Sequence, residues 1–116
     1  MTTLDSTTTS GEQIGAAGAL VAILTAHADL PAPRFDLRET HVPDSGTTWG
    51  LRATLHDDLN GFEQWRAALD LDPAAVELKH NDGSVLAWLI VTGTVFGAPV
   101  ELVGFYNLPE PATAWA

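Results

Sequence analysis

Apolar and polar residues alternate through two stretches of this chain, and a third stretch is apolar almost without interruption. In Arg34 to Val42, Phe35 and Leu37 fall on one side and Arg34, Asp36, Arg38 and Thr40 on the other. In Thr48 to His56, Trp49, Leu51, Ala53 and Leu55 oppose Gly50, Arg52, Thr54 and His56. A period of two is the mark of a strand with one wet face. Val85 to Val95 is apolar and rich in β-branched and aromatic residues, which marks a central strand. Around it, Asn81-Asp82-Gly83-Ser84 suits a type I′ turn and Phe96-Gly97-Ala98-Pro99 a type II′ turn. Ala75 to Asn107 therefore reads as a three-stranded meander, and Pro43-Asp44-Ser45-Gly46 turns the first alternating stretch into the second.

Two segments change period from two to 3.6. Ser10 is placed as N-cap of a helix starting at Gly11, with Ile14, Ala17, Val21 and Leu24 as the buried stripe and Leu20 widening it. His27 sits in its last turn, and Leu30-Pro31-Ala32-Pro33 stops it. Asn60 with Glu63 resembles a capping box for a second helix, whose stripe is Leu59, Phe62, Trp65 and Leu69; Asp72-Pro73 closes it.

Register follows from parity. In the first hairpin, Leu37 opposite Leu51 also sets Asp36 against Arg52, whereas a slip of two would oppose Arg38 and Arg52. In the meander, the assigned turns set Leu78 opposite Ala87, Val76 opposite Leu89, Val95 opposite Val100 and Leu89 opposite Tyr106. One face then carries Val76, Leu78, Leu89, Val91, Val95, Val100, Leu102 and Tyr106, the core that both helices should cover. The other carries Leu86, Trp88, Ile90, Val103 and Phe105 among Glu77, Lys79, Thr92, Thr94 and Glu101. The expected fold is α+β, a two-layer sandwich in the order α-β-β-α-β-β-β, with an antiparallel sheet and two helices on one face. Residues 1–10 read as a flexible N-terminal arm, 11–108 as a single domain and 109–116 as a C-terminal tail.

Composition narrows the function classes. The formal net charge of −10 repels phosphate backbones, so direct nucleic-acid binding is not expected. Zero Cys excludes disulfides and thiolate metal sites and suits a reducing compartment. Ala16 to Leu24 is too short to span a bilayer, and with no basic segment at the N-terminus the expected location is cytoplasmic.

Leu30-Pro31-Ala32-Pro33, Phe62-Glu63-Gln64-Trp65-Arg66-Ala67-Ala68-Leu69 and Val100-Glu101-Leu102-Val103-Gly104 resemble phrases in small uncharacterised actinobacterial and phage-associated proteins. The likeness covers most of the chain after residue 10, and one Lys against four Arg suits a GC-rich coding background. It implies no activity, because none is assigned to that group.

Candidate chemistry is sparse. The four His form no HExxH or HxH arrangement, and His41 and His56 fall on opposite faces. His56-Asp57-Asp58 is a strand end followed by helix-cap acids. No G-x-S-x-G elbow and no phosphate-cradling glycine loop occurs. Arg34, Arg38 and Arg52 share a wet face on which an anion would find donors, but Asp36 among them favours a solvated ion-pair network. No catalytic residue, cofactor or metal is expected.

Three functions are compatible with this pattern. The expected one is a non-enzymatic protein-interaction module, most simply a homodimer, using the face of Leu86, Trp88, Ile90, Val103 and Phe105. A small-ligand binder or enzyme would instead need a pocket between sheet and helices near Trp49, Trp65 and Tyr106. An acidic inhibitor mimicking nucleic acid would use Asp57, Asp58, Glu63, Asp70 and Asp72; helix capping and solubility explain these acids more simply.

Overall fold

A computed structural model of the chain describes residues 9–42, 46–83 and 85–108. Residues 1–8 of the expected arm, the expected tail, Pro43 to Ser45 of the first turn and Ser84 of the Asn81–Ser84 turn lie outside the described residues. Ser10 is not an N-cap as expected: it begins a 3-10 turn (Ser10–Gln13) that leads into α1 (Ile14–Ala26), and no side chain caps either. Then follow β1 (Arg34–Val42), β2 (Gly46–His56), α2 (Leu59–Ala68), a 3-10 turn at Pro73–Ala75, β3 (Glu77–His80), β4 (Leu86–Val95) and β5 (Ala98–Asn107). The α+β order α-β-β-α-β-β-β is the expected one. No helix among the described residues is long and apolar enough to cross a membrane.

The five strands form one sheet in the order β1-β2-β5-β4-β3. Three of its pairings are antiparallel, and β2 runs parallel to β5. The first hairpin has the register that its charges predict, Leu37 opposite Leu51 and Asp36 opposite Arg52. The hairpin joins the meander at β5, so α2, β3 and β4 lie between the paired strands β2 and β5 along the chain.

Both meander registers differ from expectation by two residues. Val95 faces Ala98 and Leu89 faces Gly104, and the turn centres on Phe96 and Gly97, both at positive φ. Proline explains the shift. A two-residue turn centred on Gly97-Ala98 would require the amide of Pro99 to close the hairpin, and proline has none. Ala98 supplies that position instead, at a cost of about 1–2 kcal/mol for a left-handed Phe96. Leu78 faces Leu89 rather than Ala87, because β3 and β4 part at His80 and Ala87 and their connection exceeds two residues. An even shift keeps every side chain on its own face, but Leu78, expected in the covered core, is 57% exposed because neither helix reaches the edge strand β3.

Both helices lie on one face. Leu51, Ala53, Leu55, Val91, Val100 and Leu102 form a core with Ala16, Ala19 and Ile23 of α1 and Phe62 and Trp65 of α2. The Trp65 indole N–H donates to the Pro31 carbonyl at 2.6 Å, and His27 and Phe35 meet its ring edge-on. Gly93 and Gly104 sit under Leu71 and Phe62, where a Cβ would lie 2.5 and 2.9 Å from those side chains.

Two helix details correct the sequence reading. The buried stripe of α1 is Ala16, Ala19 and Ile23, while Ile14, Val21 and Leu24 face outward. Both stripes have helical spacing on a helix without charges, and the alanines let the helix backbone approach the sheet more closely. On α2 the N-cap is Asp58, not Asn60: its carboxylate accepts from the Gly61 amide at 2.8 Å. Gly61 permits this, since a Cβ there would lie 2.2 Å from the Asp58 carboxylate. Leu59 is consequently exposed, whereas Phe62, Trp65 and Leu69 are buried as expected. The helix ends at Ala68, before the Asp72-Pro73 stop, with Asp70 left-handed at φ 57°.

Candidate functional site: the bare sheet face

Alternation along three strands assembles the site. Side chains pointing away from the helices are Trp88 and Ile90 on β4, Val103 and Phe105 on β5, and Thr54 and His56 on β2. Neither helix packs on this face. Trp88 lies beside Phe105 and Ile90 beside Val103, as the two-residue shift of register requires. Leu86 begins β4 next to Asn107 and is 38% exposed. All five residues predicted for the surface therefore share it.

The arrangement is an aromatic row across three strands. The rings of Trp88 and Phe105 stand 5.8 Å apart and tilted, and the His56 imidazole stacks on Phe105 at 5.1 Å with 12° between planes. Such ring contacts stiffen a surface that remains half-open to solvent. Val103 is 2% exposed although neither helix packs on this face. His56 was absent from the sequence-based set. Its strand parity placed it on the wet side of β2, but only the β2–β5 pairing, with His56 opposite Phe105, brings it into the row.

Charge distinguishes this face from the rest of the molecule. Four of the five basic side chains, Arg34, Arg38, Arg52 and Lys79, stand on it with Asp36, Glu77 and Glu101. Arg34 approaches Asp36 at 3.7 Å, Lys79 approaches Glu77 at 3.3 Å, and Arg52 donates from Nε to Glu101. The other twelve carboxylates of the sequence are accompanied by a single base, Arg66. A nearly neutral, aromatic face thus sits on a strongly acidic chain.

Elsewhere the polar groups have local tasks. Asp58 caps α2, Asp72 accepts from the Ala74 amide at 2.9 Å, and Glu63 pairs with Arg66 at 2.6 Å. The hydrogen bond from Arg66 holds the Glu63 carboxyl below its ordinary value, and the same bond raises Arg66. Arg66 also donates to the Leu71 carbonyl at 2.7 Å, fixing the segment that follows α2. Trp65 is buried in the core between sheet and helices. Near Trp49 a hollow of about 460 Å³ lies between the start of α1 and β2, while the Trp49 indole N–H is itself buried without a partner among the described residues. No three His, Cys, Asp or Glu side chains among the described residues are gathered to hold a metal ion.

Compared with protein-family models, curated proteins and solved structures, the chain matches none.

Proposed function

We propose that this protein is a non-enzymatic interaction module that self-associates through its bare sheet face. The observation that carries this reading is the row Trp88–Phe105–His56 with Ile90 and Val103, on a face that neither helix covers. Contiguous apolar surface of this kind is a liability unless a partner buries it. Electrostatics favours a second copy meeting it here. Two chains of net charge −10 repel one another over most of their surface, whereas this face holds paired charges of both signs. A two-fold axis needs one self-complementary patch, with aromatic residues at the centre and ion pairs toward the rim.

Pairing through sheet edges is less favourable. β1 carries Arg34, Asp36, Arg38 and Glu39, and β3 has four residues including Glu77 and Lys79. Charged and short edge strands resist strand addition.

Analytical ultracentrifugation tests the reading. The wild-type chain should sediment as a dimer at roughly tens of micromolar. Trp88→Asp should sediment as a monomer with an unchanged circular dichroism spectrum. A monomeric wild type at that concentration would refute self-association.

A further inference from the structure

Glu101 lies on β5 four residues before Phe105, about 13 Å along the strand toward its start. At that end of the bare face is a trough of about 490 Å³, within the range of small-molecule sites. Arg38 on β1, Arg52 on β2, Glu101 on β5 and Thr92 and Thr94 on β4 line it. Strand parity sends all five side chains to the bare face. Beside it, Gly50 lets β2 and β5 close up: a Cβ there would lie 2.5 Å from the Pro99 carbonyl oxygen.

The donors in this trough outnumber its acceptors. Arg52 contacts Glu101 through Nε, and Arg38 Nη1 stands 3.9 Å from the same Glu101 oxygen, Oε1. The two Nη groups of Arg52 have no hydrogen-bond partner among the described residues, and neither does any donor of Arg38. Arg38 and Arg52 share the Glu101 carboxylate. Glu39 also borders the trough but by strand parity belongs to the opposite face, and Asp36 pairs with Arg34, so one positive charge is unmatched on this side of the sheet. Guanidinium forks match the planar geometry of a carboxylate.

We propose that this trough binds the carboxylate group of a small molecule between Arg38 and Arg52, with the Thr92 and Thr94 hydroxyls as further donors. One surplus positive charge suits a monoanion. A phosphate dianion would carry a second negative charge against Glu101. The site is separate from the aromatic row, and its test does not depend on self-association.

The experiment follows the Arg Nε–H signals by NMR while sodium butyrate or sodium phosphate is added at constant ionic strength. Butyrate should shift the Arg38 and Arg52 signals saturably, and more tightly than phosphate. Arg38→Gln alters a half-exposed side chain and should weaken butyrate binding about tenfold, the loss of one charge-assisted contact. Glu101→Gln should strengthen binding several-fold, because it removes the carboxylate that competes for both guanidinium groups. The proposal is overturned if neither wild type nor Glu101→Gln shows saturable shifts up to about 50 mM. It is also overturned if Arg38→Gln binds butyrate as wild type does, or if phosphate binds more tightly than butyrate. Backbone amide spectra confirm that each variant retains the native fold.

Discussion

Leu102 and Val103 are adjacent in the chain and almost equally inaccessible, at 0% and 2%, yet they are buried by different means. Leu102 is enclosed by the core formed between sheet and helices. Val103 points the other way, with Ile90 opposite it and Thr54 beside it, and neither helix packs on that side. The contrast extends to the whole sheet. On the covered face, glycine at 93 and 104 admits Leu71 and Phe62, and nearly all contacts are aliphatic or aromatic. On the bare face, rings and ion pairs share the surface, and much of it stays accessible. One face is finished within the chain. The other is ordered, but its apolar part still contacts water.

The comparison is sharpest where truncation separates the two faces. Leu102→Ala should cost about 2–5 kcal/mol in chemical denaturation, as for a truncated core side chain, regardless of protein concentration. A midpoint equal to wild type would mean that the helices do not seal that face. Asp58→Ala removes the carboxylate that holds the first turn of α2 over the core and should cost about 0.5–2 kcal/mol. Asn60→Ala is the control, with a change below about 0.5 kcal/mol; equal losses would restore Asn60 as the cap.

Phe105→Ala should cost the monomer less than Leu102→Ala, because its ring is only partly buried and neither helix packs on it. Its stability loss should grow with protein concentration, since wild type gains stability from association and the variant does not. Loss independent of concentration would make the aromatic row a purely internal feature. The smallest effect concerns Glu63, whose carboxyl is held below 4.5 by the hydrogen bond from Arg66. A lowered folded value contributes stability above the ordinary carboxylate range and loses it as pH falls through the lowered value. Glu63→Gln should therefore lower stability slightly at neutral pH, and the difference from wild type should shrink as pH falls through the acid range.

The actual turns show how far local pattern reaches. Phe96-Gly97 rather than Gly97-Ala98 forms the second turn, and the cue was present in Pro99, whose missing amide forbids the other choice. The site survived this error because two residues are one full period of a strand. Leu86, Trp88, Ile90, Val103 and Phe105 stayed together on their face. His56 and the Arg38–Glu101–Arg52 cluster did not emerge as parts of one surface, since each requires β2 beside β5.

The sequence by itself determined face membership in every strand and the first-hairpin register, because alternation and the Asp36–Arg52 pair act between near neighbours in the chain or across one turn. It also determined that two helices would cover the more aliphatic face. Only the tertiary structure decided which stripe of α1 is buried, since an uncharged helix offers two apolar stripes of equal spacing. Only the tertiary structure joined the hairpin to β5 in parallel. That pairing links residues about fifty positions apart, such as Leu51 and Val100, and depends on packing and chain path rather than on any local preference.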